Sequence, residues 1–146
     1  TELKITALSQ FLDNCPAVDE IEQSSYDENL FETPAGREYL VLDDSEADTK
    51  AEEYISDSLW AFNAEFIASH ANADLDSKAI DALREMQGKL CESANDLVRA
   101  LIRDFDHFVQ DAISSDGRGH FLSSYDGNEE EISLESGETF YIYRTN

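Results

Sequence analysis

Residues 38–59 read EYLVLDDSEADTKAEEYISDSL, and this stretch decides the fold class. Its first five residues, EYLVL, are an apolar run too brief for a helix and well suited to a strand. Asp43, Asp44 or Ser45 can then cap a helix, and the acids in its first turn suit the positive end of the helix dipole. Ile55, Leu59, Phe62 and Phe66 follow at helical spacing, which predicts one core-facing stripe. Asp48, Glu52 and Glu53 occupy the opposite face. A strand that hands over directly to an amphipathic helix implies mixed architecture.

Upstream, residues 2–14 predict a short amphipathic helix that places Ile5, Leu8, Phe11 and Leu12 on one face, with Pro16 as its stop. Residues 17–36 are polar and acidic, punctuated by Pro34 and Gly36, and read as loop with at most one helical turn. Downstream, Asp74 or Asp76 can cap a second helical region. From Ser77 the apolar spacing persists through Ile80, Leu83, Leu90, Ala94, Leu97, Leu101, Phe108 and Ala112. It fits one long helix over 77–113, or two that break between 88 and 96, where Gly88 is a weak point. Glu85 and Lys89 form a supportive pair one turn apart.

After Ser114 the texture changes. HFLSSY, EEEISLE and TFYIYR, separated by the turn signals DGN and ESGE, predict a C-terminal three-stranded antiparallel meander. Strand 38–42 is available to join it. The expected fold is α+β, with two or three helices packed on one face of a small antiparallel sheet, in a single domain spanning 1–146.

The composition is dominated by charge: 33 acids against 10 bases, a net of −23. Residues 13–57 carry 15 acids and 2 bases, residues 104–138 carry 10 and 1, and residues 74–103 are nearly balanced at 6 and 5. Solubility alone asks for a net charge of only about 2–8 in a small domain, and self-repulsion on this larger scale costs stability. Nucleic acid is a poor direct partner, because binding it requires Lys and Arg to displace counterions. The same sign excludes an anionic membrane surface. A basic protein that ordinarily binds DNA or RNA fits, since duplex DNA carries one charge per about 1.7 Å. The candidate partner-binding residues are Asp43, Asp44, Glu46, Asp48, Glu52, Glu53 and Asp57 at the strand–helix junction. Asp126, Glu129, Glu130 and Glu131 on the C-terminal hairpin complete the set.

Other chemistries find less support. Cys15 and Cys91 stand alone, without the spacing of a redox or metal motif. No apolar run is long enough to span a membrane, and TELKITALSQFL has neither a basic leader nor a cleavage site. The 116–132 stretch DGRGHFLSSYDGNEEEI offers His120 as a base, with Ser123, Ser124 or Tyr125 as nucleophile. Read as a strand, it places His120 and Ser123 on opposite faces. DGRG lacks the spacing of a phosphate-binding loop, and DGNEEE misses the calcium-loop order. No catalytic residue, cofactor or dedicated metal site is therefore assigned. Arg118 and His120 are cations or near-cations amid acids, and the expectation is that they tie the loop to neighbouring carboxylates.

GREYLVLDDSEAD at 36–48, DGRGHFLSSYDGNEEEI and the closing FYIYRTN together resemble a family of small acidic bacteriophage proteins. The likeness covers about forty residues in the two anionic segments and leaves roughly 58–103 unmatched. It implies phage origin in a family whose members mostly have no assigned function; joined to the charge argument, the expectation is a phage-encoded, non-enzymatic inhibitor in the host bacterial cytoplasm, monomeric or homodimeric, which blocks a host nucleic-acid-binding protein. A defence system is the first target, making the chain an anti-CRISPR or anti-restriction protein. A structural or accessory phage protein whose acidity serves solubility is the alternative, and a small enzyme using His120 is the second.

Overall fold

The computed structural model describes all residues, 1–146, which divide into two compact units: 1–51 with 116–146, and 52–115. The architecture is α+β, as the sequence predicts.

The first unit is built on a five-stranded antiparallel sheet. Its strands are β1 (Glu22–Gln23), β2 (Leu30–Glu32), β3 (Glu38–Leu42), β4 (Glu130–Ser133) and β5 (Thr139–Arg144), in the spatial order β1-β2-β3-β5-β4. Strand β3 has the bounds expected from its apolar run. Strands β4 and β5 form the predicted hairpin, closed at ESGE by Leu134 N–H donating to the Glu138 carbonyl at 2.8 Å. Gly137 sits in that turn at φ +102°, which favours glycine.

Cross-strand partners share a face, and that sorts the core. Phe31, Tyr39, Val41, Phe140 and Ile142 pack with Ala7 and Leu8 of α1 (Glu2–Phe11). Fully burying a side chain of this size is worth about 1.5–3 kcal/mol. Helix α1 ends earlier than expected because Asp13 and Asn14 take positive φ ahead of Pro16. The other face carries Leu30, Leu42, Tyr141 and Tyr143, and it is also covered. Leu42 and Tyr143 are fully buried, and Arg118 lies 4.6 Å above the Tyr141 ring. Helical elements thus lie on both faces of the sheet, not on one.

Two further expectations fail in this unit. The 17–36 segment contains the one helical turn expected, a 3₁₀ turn at Val18–Glu20, but it also contributes β1 and β2, strands too short to show in periodicity, β1 pairing with β2 and β2 with β3. The first strand of the meander does not exist, because Arg118–Leu122 of "RGHFLSSY" forms a short helix, α7. The sequence pattern there is weak, and tertiary contacts decide it.

The second unit is helical. Helix α2 (Asp44–Asp57) begins in the first unit and ends in the second. A 3₁₀ turn follows at Leu59–Ala61, then α3 (Ala64–Ser69), α4 (Ser77–Leu90), a second 3₁₀ turn at Cys91–Ala94, α5 (Asn95–Leu101) and α6 (Phe105–Asp116). The Ile55–Phe66 stripe is therefore divided, with Ile55 on α2, Leu59 in the 3₁₀ turn, Phe62 just after it and Phe66 on α3. Asn63 starts the second by accepting the Phe66 N–H at 3.1 Å. Of the two candidate caps upstream of α4, Asp76 serves, accepting from Ala79 N–H at 2.9 Å. The long periodic segment breaks at Cys91, where φ is +50°, and again at 102–104. Gly88 stays inside α4, and Glu85 pairs with Lys89 at 2.9 Å as expected.

Two buried or half-buried amides fasten these pieces. Gln87 Nε2 donates to the Leu59 and Phe62 carbonyls at 3.1 and 2.8 Å. Asn95 accepts from Trp60 N–H at 2.9 Å and donates to the Asp57 carbonyl at 2.8 Å. The core around them is Ile55, Leu59, Ile67, Leu83, Val98 and Phe108.

Candidate functional site

Helix α7 carries Arg118, whose side chain is only 10% exposed. Its Nε donates to Glu129 Oε1 at 2.7 Å, and its Nη1 reaches Asp44 Oδ1 at 2.9 Å, Asp48 Oδ1 at 3.0 Å and the Asp44 carbonyl at 3.1 Å. Tyr143 donates its hydroxyl to the same Glu129 carboxylate. One cation thus gathers acids from the strand–helix junction and from the start of the hairpin, so the two predicted acidic segments do meet within this unit. Burial opposes the Arg118 charge, but the hydrogen bonds it donates to Glu129 and Asp44 outweigh that and hold its pKa above the ordinary value. Burial, reinforced by Glu129, pushes the Tyr143 hydroxyl well above the usual phenol range.

The predicted partner-binding acids separate into two groups. Asp43 and Glu46 form a capping box at the start of α2: Asp43 Oδ1 accepts Glu46 N–H at 2.8 Å, and Glu46 Oε1 accepts Asp43 N–H at 3.0 Å. Lys4 Nζ also pairs with Glu46 at 2.8 Å. Partial burial would raise the Glu46 pKa, but the Asp43 N–H and Lys4 outweigh it and hold the carboxyl below its ordinary value. Asp126 shapes its loop by accepting from Asn128 N–H at 3.0 Å and from the Ser123 hydroxyl at 2.8 Å. With Asp44, Asp48 and Glu129 on Arg118, six of the predicted acids hold the structure together.

Glu52, Glu53, Asp57, Glu130 and Glu131 have no cation within 4 Å and no hydrogen-bonding partner for their carboxylates. Glu52, Glu53 and Asp57 lie on the part of α2 that belongs to the helical unit. Glu130 and Glu131 are exposed on β4, an edge strand whose charge also discourages strand addition by another chain.

The sheet adds an acidic feature that sequence reasoning missed. Glu22 on β1 faces Glu32 on β2, and Glu32 faces Glu38 on β3, so three carboxylates stand in one cross-strand row. No cation compensates them; the Glu38 carboxylate meets only the Asn146 amide, at 3.4 Å. Like charges directly opposite each other destabilise a sheet. The row lines a cavity of about 320 Å³ whose wall also contains Phe31 and the exposed Tyr26. Only the strand register reveals this row, since the paired residues are ten and six positions apart and Glu22 and Glu32 belong to a segment read as loop.

The HFLSSY part of the DGRGHFLSSYDGNEEEI stretch is not a strand, so side-chain alternation does not place His120 and Ser123. His120 is exposed on α7 with its ring edge-on to Phe121 at 5.0 Å. Ser123 is buried, and its hydroxyl is engaged with Asp126 Oδ1 at 2.8 Å and the Arg144 carbonyl at 2.7 Å. The expectation that Arg118 ties the loop to carboxylates matches the geometry; His120 makes no such tie. Gly117 turns the chain at φ +83°. Gly119 has a different job, because a Cβ there would lie 2.5 Å from the Gly127 carbonyl oxygen and 2.8 Å from the Glu129 nitrogen. The absence of that Cβ lets α7 press against the 127–129 backbone and delivers Arg118 to Glu129.

The helical unit brings together residues that were not singled out. His70, His107 and Asp111 place one ligand atom each within 4.8 Å of one another. Comparison of the chain with protein-family models, with curated proteins and with solved structures finds no match to any of them.

Proposed function

We propose that this chain is a phage-encoded acidic inhibitor that engages the basic groove of a host nucleic-acid-binding protein in the bacterial cytoplasm, with a defence system as the first candidate. The observation that carries the reading is the in-register row Glu22–Glu32–Glu38. Opposed, uncompensated carboxylates cost stability in the free protein, and a guanidinium or ammonium from a partner relieves that cost on binding. The adjoining cavity with Tyr26 suits such a group, because an aromatic face attracts a cation. The unpaired acids Glu130 and Glu131 extend the anionic character of the same sheet. Asp43, Asp44, Glu46, Asp48, Asp126 and Glu129 have their carboxylates engaged in a cap, a turn and the Arg118 cluster, so the reading rests less on them than on Glu52, Glu53, Asp57, Glu130 and Glu131.

The test is competitive. The immobilised full-length chain is expected to retain nucleic-acid-binding proteins from host extract at low salt and to release them when salt or duplex DNA is added. A doubly reversed variant, Glu22→Lys with Glu32→Lys, should lose that retention. Retention that persists against excess DNA rules out occupation of the nucleic-acid groove. Absence of any retained nucleic-acid-binding protein returns the acidity to a solubility role in an accessory protein.

A further inference from the structure

From the geometry of the helical unit we infer that His70, His107 and Asp111 form a binding site for a divalent transition metal, zinc in the first instance. His107 and Asp111 are four residues apart on α6, so their side chains lie on one face a turn apart. The N-terminal turn of α6 is fixed where it matters, because Asp104 Oδ1 accepts the His107 N–H at 3.2 Å. His70 arrives from the end of α3. Backbone pairing aligns its segment with the chain entering α6: Arg103 N–H donates to the His70 carbonyl at 2.9 Å and Asn72 N–H to the Leu101 carbonyl at 2.8 Å. The His70 ring is buried and held between Phe66 at 5.1 Å and Phe108 at 5.3 Å.

Asp111 bridges the two imidazoles, with Oδ2 3.0 Å from His70 Nε2 and Oδ1 3.6 Å from His107 Nε2. A tetrahedral ion bound at 2.0–2.2 Å separates its ligand atoms by about 3.4 Å. The two separations run to different Asp111 oxygens, and one ligand atom from each of the three residues lies within 4.8 Å of the others. The remaining gap closes by rotation of His107, whose side chain is 60% exposed. Two imidazole nitrogens and one carboxylate oxygen suit zinc, nickel, copper or iron, whereas magnesium and calcium take oxygen ligands. This distinguishes the cluster from the carboxylates elsewhere on the surface, which offer oxygen alone. Three protein ligands leave a coordination position for water or for a donor from another molecule. A bound ion would fasten α3 to α6 and so stabilise the unit.

Isothermal titration of the untagged full-length chain with zinc chloride, in a large excess of magnesium, should give one saturable site. His107→Ala removes an exposed side chain outside the core and should weaken zinc binding at least tenfold; Asp111→Asn is the second variant should the first lose structure. Zinc should raise the melting temperature of the wild type and not that of either variant. In NMR spectra the imidazole resonances of His70 and His107 should shift together on zinc addition, with His120 as the internal control. No saturable site in magnesium, unchanged affinity in both variants, or equal shifts at His120 would each overturn the assignment in favour of zinc scattered over surface carboxylates.

Discussion

The two units handle charge in opposite ways. Residues 1–51 with 116–146 carry 20 acids and 5 bases; residues 52–115 carry 13 and 5. In the helical unit two of the five bases meet acids on exposed helix surfaces. Arg84 pairs with Asp81 and Glu65, and Lys89 with Glu85. Such exposed pairs are individually weak and can be exchanged without consequence. In the sheet unit, acids remote in sequence converge on a single shielded cation, while others are left facing each other across strands. Charge in the helical unit decorates a fold that apolar packing already determines. Charge in the sheet unit both holds the fold and strains it.

The largest effect is expected from Gly119→Ala, which drives a methyl group into the 127–129 backbone and should cost about 3 kcal/mol in urea unfolding. Retained stability would mean that α7 does not need its close approach.

Arg118→Met should cost about 2 kcal/mol, since it strips charged hydrogen bonds from Asp44, Asp48 and Glu129. Arg84→Met in the helical unit should leave the unfolding midpoint unchanged. Equal effects of the two changes would erase the distinction between shielded and exposed cations.

A smaller effect concerns pH. The folded pKa of Glu46 lies below its ordinary value of 4.5, so its contribution is present above that pH. It is lost as pH falls through the depressed folded value, because only the unfolded chain takes up the proton readily. Glu46→Gln should therefore be less stable than wild type at neutral pH and should converge with it in acid. A constant gap between the two curves would remove Glu46 from the acid response.

The smallest effect runs the other way. Glu32→Gln relieves the carboxylate row and should stabilise the fold by about 0.5 kcal/mol while weakening retention of basic partners. A destabilised variant would mean that the row carries no repulsion.

Local chemistry made some of this visible in the sequence. EYLVL ends abruptly at Asp43, so β3 and the start of α2 are readable from neighbouring residues alone. The ESGE turn flanked by apolar residues marks the β4–β5 hairpin in the same way. Helix α7 was not readable, because Gly119 acts through the backbone of residues 127–129 and Ser123 through Arg144, at the other end of the next two strands. The acidic clusters were visible as composition, but their division into fastened and free carboxylates depends on Arg118, 74 residues from Asp44. The acidic row emerges only from register. His107 and Asp111 are a visible pair, whereas His70 joins them through strand-like pairing of 70–72 with 101–103 that no local pattern announces.

The strand order has a consequence for synthesis. β5 is the last strand in the chain, yet it is an interior one, seated between β3 and β4. A ribosome delivers α1 to β3 first and must then release the whole of 52–115 before the partner of β3 emerges. The helical unit is contiguous and can fold while it waits, but the sheet keeps an open, apolar edge on β3 until β5 appears. Its assembly therefore waits for residues 139–144, and the nascent segment that ends with β3 is the species for which chaperone protection matters most.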